Sequence, residues 1–178
     1  MAKKRICIIS TGGTIEKTYD ALRGILTNEV SVLDVMLAGL EHPGLEIARV
    51  PLMKKDSLDM TAADHALIAK TAGAMAESFD GVVVVHGTDR LTVTGEKMAA
   101  DLGTPRVPIV LTGAMRPYEM RATDAHQNLT EALLGVQLLE PGVWVVMHCS
   151  ALRFPGVVKD YERGRFVKPV EDPATTAV

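Results

Sequence analysis

Three short stretches combine hydroxyls, glycines and a carboxylate in ways that suit chemistry. They are Ser10-Thr11-Gly12-Gly13-Thr14, His86-Gly87-Thr88-Asp89-Arg90 and Thr112-Gly113-Ala114-Met115-Arg116-Pro117, and each follows an apolar run. A threonine hydroxyl is a weak nucleophile until a base or an orienting partner activates it. Asp89 is adjacent to Thr88 and supplies a carboxylate. A lysine desolvated by burial can act as a base; beyond the three stretches the candidates are Lys159 and Lys168. A hydroxyl, a carboxylate and a lysine beside an anion-binding edge point to acyl transfer or amide hydrolysis.

The elements that must position these groups follow from the hydrophobic pattern. "RICIIS", "LEIARVPLM", "GVVVV", "VPIVL" and "VWVVM" are short and β-branched, and read as buried strands. Between them, "VSVLDVMLAGLEHPG", "TAADHALIAKTAGAMAE", "LTVTGEKMAADLG" and "DAHQNLTEALLGVQLLEPG" read as helices. Capping boxes are expected at Ser31/Asp34 and Thr61/Asp64, and Asp124 is expected to cap the last helix with Gln127 at its third position. In the first helix Val32, Leu33, Met36, Leu37 and Leu40 form the apolar face. Strands alternating with helices predict a three-layer α/β fold, Rossmann-like, with a mainly parallel sheet covered on both faces. Residues 15–29 have no clear period and read as a loop or a small hairpin. Residues 1–167 form the expected single domain, and 168–178 a poorly ordered tail.

Loops after parallel strands emerge on one sheet edge, where open α/β sheets bind ligands. Free N–H groups at the helix starts suit a carboxylate or a developing oxyanion. Each stretch also has a purely structural explanation. Gly12-Gly13 can be a tight strand exit, and Thr88 or Asp89 a helix cap. Phosphate binding is a rival, but neither G-x-x-x-x-G-K-[ST] nor G-x-G-x-x-G occurs. A non-catalytic amino-acid or amide sensor is the other alternative; it has no need of Lys159.

Composition narrows the partners. The 178 residues carry a net charge of −3 and are 47% hydrophobic, so no basic footprint points to nucleic acid. No run approaches the ~18 apolar residues of a membrane span. The two cysteines, Cys7 and Cys149, make no disulfide framework and no zinc spacing. None of the five histidines shows metal spacing. His42, His65 and His126 read as surface residues, and His86 and His148 as packing residues behind strand ends. A reduced, cytoplasmic setting is the expectation.

"TGGTIE", "VVVVHGTDRLTVTGEKMA" and "IVLTGAMRP", in this order and each at a strand end, resemble the bacterial-type L-asparaginase/glutaminase family. The resemblance runs from about Arg5 to Lys159. It implies hydrolysis of the side-chain amide of L-asparagine, with minor activity on glutamine, and no metal or organic cofactor. It implies a homodimer or higher homo-oligomer. By this resemblance Thr14 is the first catalytic threonine, oriented by Tyr19, while Thr88, Asp89 and Lys159 form a second hydroxyl–carboxylate–amine set. Ser57 takes the position that holds the substrate α-carboxylate. Gly13, Gly87 and Ala114 line the approach to the amide. Asp89 is also matched to the substrate ammonium.

Two departures stand out. Leu58 occupies a position where many members carry a glutamine that helps hold the α-amino group; its backbone N–H remains as a candidate contact. Family members also have a second, smaller C-terminal domain that helps close a neighbour's site, and this chain stops soon after the lysine. Its acidic, proline-containing tail reads as a natural end. Leu22, Ile25 and Leu26 in the 19–27 loop are candidates for a lid or a dimer contact.

Overall fold

The computed structural model describes residues 2–29 and 31–169, so most of the expected tail lies outside the described residues. A six-stranded sheet runs through the molecule in the order β4-β1-β5-β6-β7-β8. Its strands are β1 (Lys4–Gly12), β4 (Leu45–Lys55), β5 (Gly81–Val85), β6 (Pro108–Thr112), β7 (Gly142–Met147) and β8 (Ser150–Arg153). The first five are parallel and β8 turns back antiparallel on β7. Between β1 and β4 lies a small hairpin, β2 (Thr18–Asp20) with β3 (Ile25–Thr27). It accounts for the segment without periodicity. A second hairpin, β9 (Val158–Asp160) with β10 (Arg165–Val167), follows β8. The hydrophobic pattern did not foretell β8, β9 or β10, because they are only three or four residues long and only partly buried.

Alternation along β1 builds both cores. Cys7 and Ile9 join Val82, Val84, Ile109 and Leu111 on one face. That face packs against α2 (Ala62–Ala76) and α3 (Leu91–Leu102). Ile6 and Ile8 point the other way, with Val83, Val85 and Val110, against α1 (Leu33–Ala38) and α4 (Ala125–Leu138). A side-chain period of two thus sorts one apolar strand into two layers. The fold is the expected three-layer α/β arrangement.

Strand order reverses beside β1. The chain leaves β1 for β4 on one side, then crosses back to β5 on the other. The crevice outside the carboxyl ends of β1 and β5 is therefore the topological switch point. Thr14 follows β1, Thr88 follows β5, and Ser57 follows β4.

Local details correct three expectations. Thr61 and Asp64 form the anticipated capping box, but Ser31 and Asp34 do not. Ser31 donates instead to the buried carboxylate of Glu16, and Asp34 pairs with Arg49. The helix α1 thus starts at Leu33 without a side-chain cap, and it is short, ending at Ala38 before Gly39. Asp124 makes no side-chain cap either; its carboxylate turns back toward the loop after β6. His65 is no surface residue: it is 3% exposed and bonded to Thr94. The alanines of α2 let that helix sit close to the sheet and carry His65 under the β5 loop.

His86 is fully buried directly after β5. Burial pushes its pKa down to about 4, against the opposing hydrogen bond to the Gly87 carbonyl. The unfolded chain titrates this histidine near 6.5. Stability from the neutral ring is complete above that value and is lost as pH falls toward about 4, because only the unfolded state accepts the proton. The unfolding free energy from urea titrations should fall with acid across this window. Replacing His86→Asn should remove up to about 1.4 kcal/mol per pH unit of that slope, the contribution of one proton.

Candidate active site

The β1 exit is fixed by backbone contacts. Gly13 has φ 78°, and its N–H donates to the Lys55 carbonyl at 2.9 Å. Its own carbonyl accepts from the Asn28 side chain at 2.8 Å. A Cβ at Gly13 would stand 2.4 Å from the Gly87 backbone, so the two loops meet only because that position is glycine. Thr14 then opens a short 3₁₀ turn, Thr14–Glu16, and is half-buried. Glu16 closes the turn by accepting the Gly12 N–H at 3.2 Å. Burial raises the Glu16 pKa against the hydrogen bonds from Ser31 and Gly12. Thr11 faces away and donates to the Val85 carbonyl at 2.9 Å, a joint between β1 and β5.

Gly87 packs on Ser57 as closely as on Gly13. A Cβ on Gly87 would lie 2.6 Å from the Ser57 hydroxyl. Ser57 is 1% exposed, and among the described residues its hydroxyl has no hydrogen-bond partner. A buried hydroxyl in that state is a group awaiting a ligand or a water. Asp56 caps the short turn Ser57–Asp59 by accepting the Leu58 N–H at 3.1 Å, and it pairs with Lys17 at 2.6 Å. The Leu58 N–H, a candidate substrate contact from the sequence, is thus already engaged. The Leu58 side chain is 59% exposed. A cleft of about 550 Å³ opens beside this turn, lined by Lys17, Asn28, Lys54, Asp56 and Asp59 among others.

The third loop is held from behind. Asp124 accepts from the Met115 and Arg116 N–H groups at 2.9 and 3.0 Å. Asn128 donates to the Gly113 carbonyl at 2.9 Å, and His148 lies 2.7 Å from the Asp124 carboxylate. Burial opposes the charge on Asp124, but the bonds from Met115, His148 and Arg116 outweigh it and hold its pKa below the usual range. Ala114 is buried at the centre of this loop. Sequence reasoning assigned Asp124 to a cap and missed this node. The ionisable residue nine positions after Met115 was the available signal, but a helix start explains it equally well.

The most telling contacts belong to Lys159. Its ammonium donates to the Thr88 hydroxyl at 2.9 Å and to the Asp89 carboxylate at 2.7 Å. The side chain is 9% exposed, which a surface lysine is not. Strand β9 presents it, and its antiparallel partner Phe166 is anchored in the core. Tyr161 flanks the ammonium, its ring centroid 4.8 Å away, and its hydroxyl donates to the Asp89 carbonyl at 3.3 Å. Tyr161 was not anticipated. The Thr88 hydroxyl in turn faces the Met115 sulfur at 3.6 Å, which joins the second and third loops. Lys168, the other candidate base, donates to the Arg153 carbonyl and takes no part.

The structure therefore brings Gly13, Ser57 and Gly87 into contact, and Thr88, Asp89 and Lys159 into one hydrogen-bonded set. Tyr19 stands apart. It is 60% exposed on the β2–β3 hairpin, where its N–H donates to Glu119 and its hydroxyl lies toward Gly24. Leu22, Ile25 and Leu26 of the same hairpin are also exposed.

The chain and its fold have counterparts among known proteins. The L-asparaginase of Thermococcus kodakarensis is 30% identical over 145 residues, covering 79% of this chain and 43% of the relative. The solved structure of the thermostable L-asparaginase from that organism superposes with a TM-score of 0.83 at 28% identity, covering 92% of this chain and 51% of that one. A glutamyl-tRNA(Gln) amidotransferase component from Thermoplasma acidophilum is 30% identical over 150 residues, covering 83% of this chain and 36% of the relative. The chain thus spans about half or less of the length of these relatives. The family described as "Asparaginase, N-terminal" matches residues 5–162, and with that match the chain belongs to the asparaginase family.

Proposed function

We propose that the chain hydrolyses the side-chain amide of L-asparagine to L-aspartate and ammonia. The observation that carries this reading is the buried Lys159 ammonium bridging the Thr88 hydroxyl and the Asp89 carboxylate at 2.9 and 2.7 Å. In the proposed reaction the Thr14 hydroxyl attacks the amide carbon. Backbone N–H groups, that of Thr88 among them, receive the oxyanion. The C–N bond breaks, the nitrogen takes the hydroxyl proton and leaves as ammonia, and an ester on Thr14 remains. Once its ammonium has passed a proton to the departing ammonia, Lys159 accepts one from Thr88 or from a water held by it, and Asp89 stabilises the restored ammonium. The activated water releases aspartate and restores Thr14. Ser57 supplies a buried donor for the α-carboxylate, and Gly13, Gly87 and Ala114 leave room for the substrate. For Tyr19 to orient Thr14, the β2–β3 hairpin has to fold inward over the site. The exposed Leu58 leaves the α-amino group to Asp89.

A second reading keeps the chemistry and changes its setting. The name of the amidotransferase relative suggests amide-nitrogen transfer within an assembly of several proteins. On that reading glutamine amides are cleaved and a partner receives the ammonia. A non-catalytic sensor is disfavoured by Lys159, which binding alone does not require. The exposed Cys149 thiol suits a reducing, cytoplasmic compartment, and the exposed Leu134 and Leu138 on α4 suit a homo-oligomer.

Ammonia release from asparagine and from glutamine, followed by a coupled assay, tests these readings. Thr14→Ala and Thr88→Val should each lower kcat by at least about 10³-fold with the fold intact by circular dichroism. No release from either substrate by a well-folded wild type would remove the enzyme reading. Lys159→Met should cost about 10²- to 10⁴-fold in kcat while altering KM for asparagine far less, because the lysine acts on the proton rather than on binding. Light scattering after size exclusion should give a mass of at least two chains; a strictly monomeric peak excludes the oligomer.

A further inference from the structure

Behind the β5 loop lies a line of three buried side chains that the proposed chemistry does not use. His65 Nδ1 is 2.7 Å from Thr94 Oγ1, and Thr94 Oγ1 is 2.8 Å from His86 Nε2. His86 Nδ1 is 2.8 Å from the Gly87 carbonyl oxygen. All three side chains are 3% exposed or less. The residues come from α2, from α3 and from the β5 exit, so the line ties two helices to the loop that carries Thr88.

Its direction is dictated at one end. A carbonyl oxygen only accepts, so His86 Nδ1 carries the hydrogen. The buried ring is neutral, so its Nε2 is a lone pair and the Thr94 hydroxyl must donate to it. The Thr94 oxygen is then the acceptor for His65 Nδ1–H. Every hydrogen in the line points toward Gly87. The remaining His65 nitrogen, Nε2, is buried with no partner among the described residues, so nothing at that end competes for the opposite direction.

We propose that His65, Thr94 and His86 form a directed hydrogen-bond relay that fixes and polarises the Gly87–Thr88 peptide, with Thr94 as its positioning residue. The Gly87 carbonyl and the Thr88 N–H belong to one amide. A donor on the carbonyl end makes the N–H end a stronger donor, and successive bonds reinforce one another in a low-dielectric interior. The relay also supplies restraint where the backbone has least of its own. Gly87 has to be glycine because Ser57 crowds its Cβ position, and glycine leaves the following peptide plane free to turn. Tethering its carbonyl removes that freedom. The consequence for catalysis rests on the proposed asparaginase reading, in which the Thr88 N–H receives the oxyanion.

Two nuclear magnetic resonance measurements test the relay independently of turnover. Long-range ¹H–¹⁵N spectra of the wild type should show His86 as the neutral Nδ1–H tautomer. The Thr88 amide proton should shift upfield in Thr94→Val, which keeps the shape and loses the hydroxyl, and return in Thr94→Ser. An Nε2–H tautomer at His86, or a Thr88 amide indifferent to Thr94→Val, overturns the proposal. Kinetics then measure its consequence. Thr94→Val should lower kcat about 5- to 20-fold, less than deleting an oxyanion donor outright, with KM for asparagine within about twofold and with rescue by Thr94→Ser. Equal kcat in the valine and serine variants counts against the relay. An inactive wild type that shows the expected tautomer and amide shift removes the asparaginase reading and leaves the relay standing.

Discussion

The backbones of the β1 and β5 loops touch. Gly13 and Gly87 lie so close that a methyl group at Gly13 would enter the Gly87 backbone. The Ser57 turn presses on the other side of Gly87. This contact sits at the switch point of the sheet, where the connections leave β1 in opposite directions and open a crevice. Everything proposed for the site depends on it. It brings the exits of β1, β4 and β5, which carry Thr14, Ser57 and Thr88, to one edge of the sheet. The absence of side chains at these positions is what lets three strand ends share one small volume.

Loops packed this tightly need support beneath them, and buried polar groups provide it. Asp124, Asn128 and His148 hold the loop after β6 through its N–H and carbonyl groups. His65, Thr94 and His86 hold the loop after β5. Glu16 and Asn28 hold the turn after β1. Each node satisfies backbone groups that the strands leave unpaired at their ends. Fully partnered, such networks give rigidity at little net cost; half-partnered, they are expensive. Ser57 Oγ and His65 Nε2, buried with no hydrogen-bond partner among the described residues, therefore stand out.

The lysine reaches the site by another route. Lys159 is carried on a hairpin that lies outside the six-stranded sheet and is pinned through Phe166 and Val157. Its stem is buried, so the ammonium can end only where partners exist, and Thr88 and Asp89 are those partners. The β2–β3 hairpin contrasts with it. Its apolar side chains are largely exposed, and Tyr19 points along the hairpin rather than into the crevice. One hairpin is part of the scaffold, and the other lies at the surface with Tyr19, Leu22 and Ile25 largely exposed.

Sequence alone determined the layers. Apolar runs such as "GVVVV" leave a strand no choice but burial on both faces, and alternation with helical periods then dictates a parallel sheet. It also located the three strand-end loops, because glycines and hydroxyls at strand ends are a local signal, and it offered Thr88 and Asp89 within them and Lys159 and Lys168 beyond them; the roles of Thr14, Ser57 and Lys159 came from the resemblance to a family. Tertiary structure decided which polar groups found each other. Ser31 and Asp124 had the right spacing for helix caps, yet Glu16 in one case and the Met115–Arg116 amides in the other drew them away. His65 reads as exposed in the sequence because its helix pattern gives no sign of a buried partner; Thr94, on another helix, supplies one. Residue type does not separate Lys168 from Lys159; the resemblance chose Lys159, and the path of the β9–β10 hairpin brings it to Thr88 and Asp89 while Lys168 bonds the Arg153 carbonyl. The physical reason is common to all four. Hydrophobic burial is written residue by residue along the chain, whereas a side-chain hydrogen bond depends on two segments meeting within about 3 Å, and that distance exists only once the chain has folded.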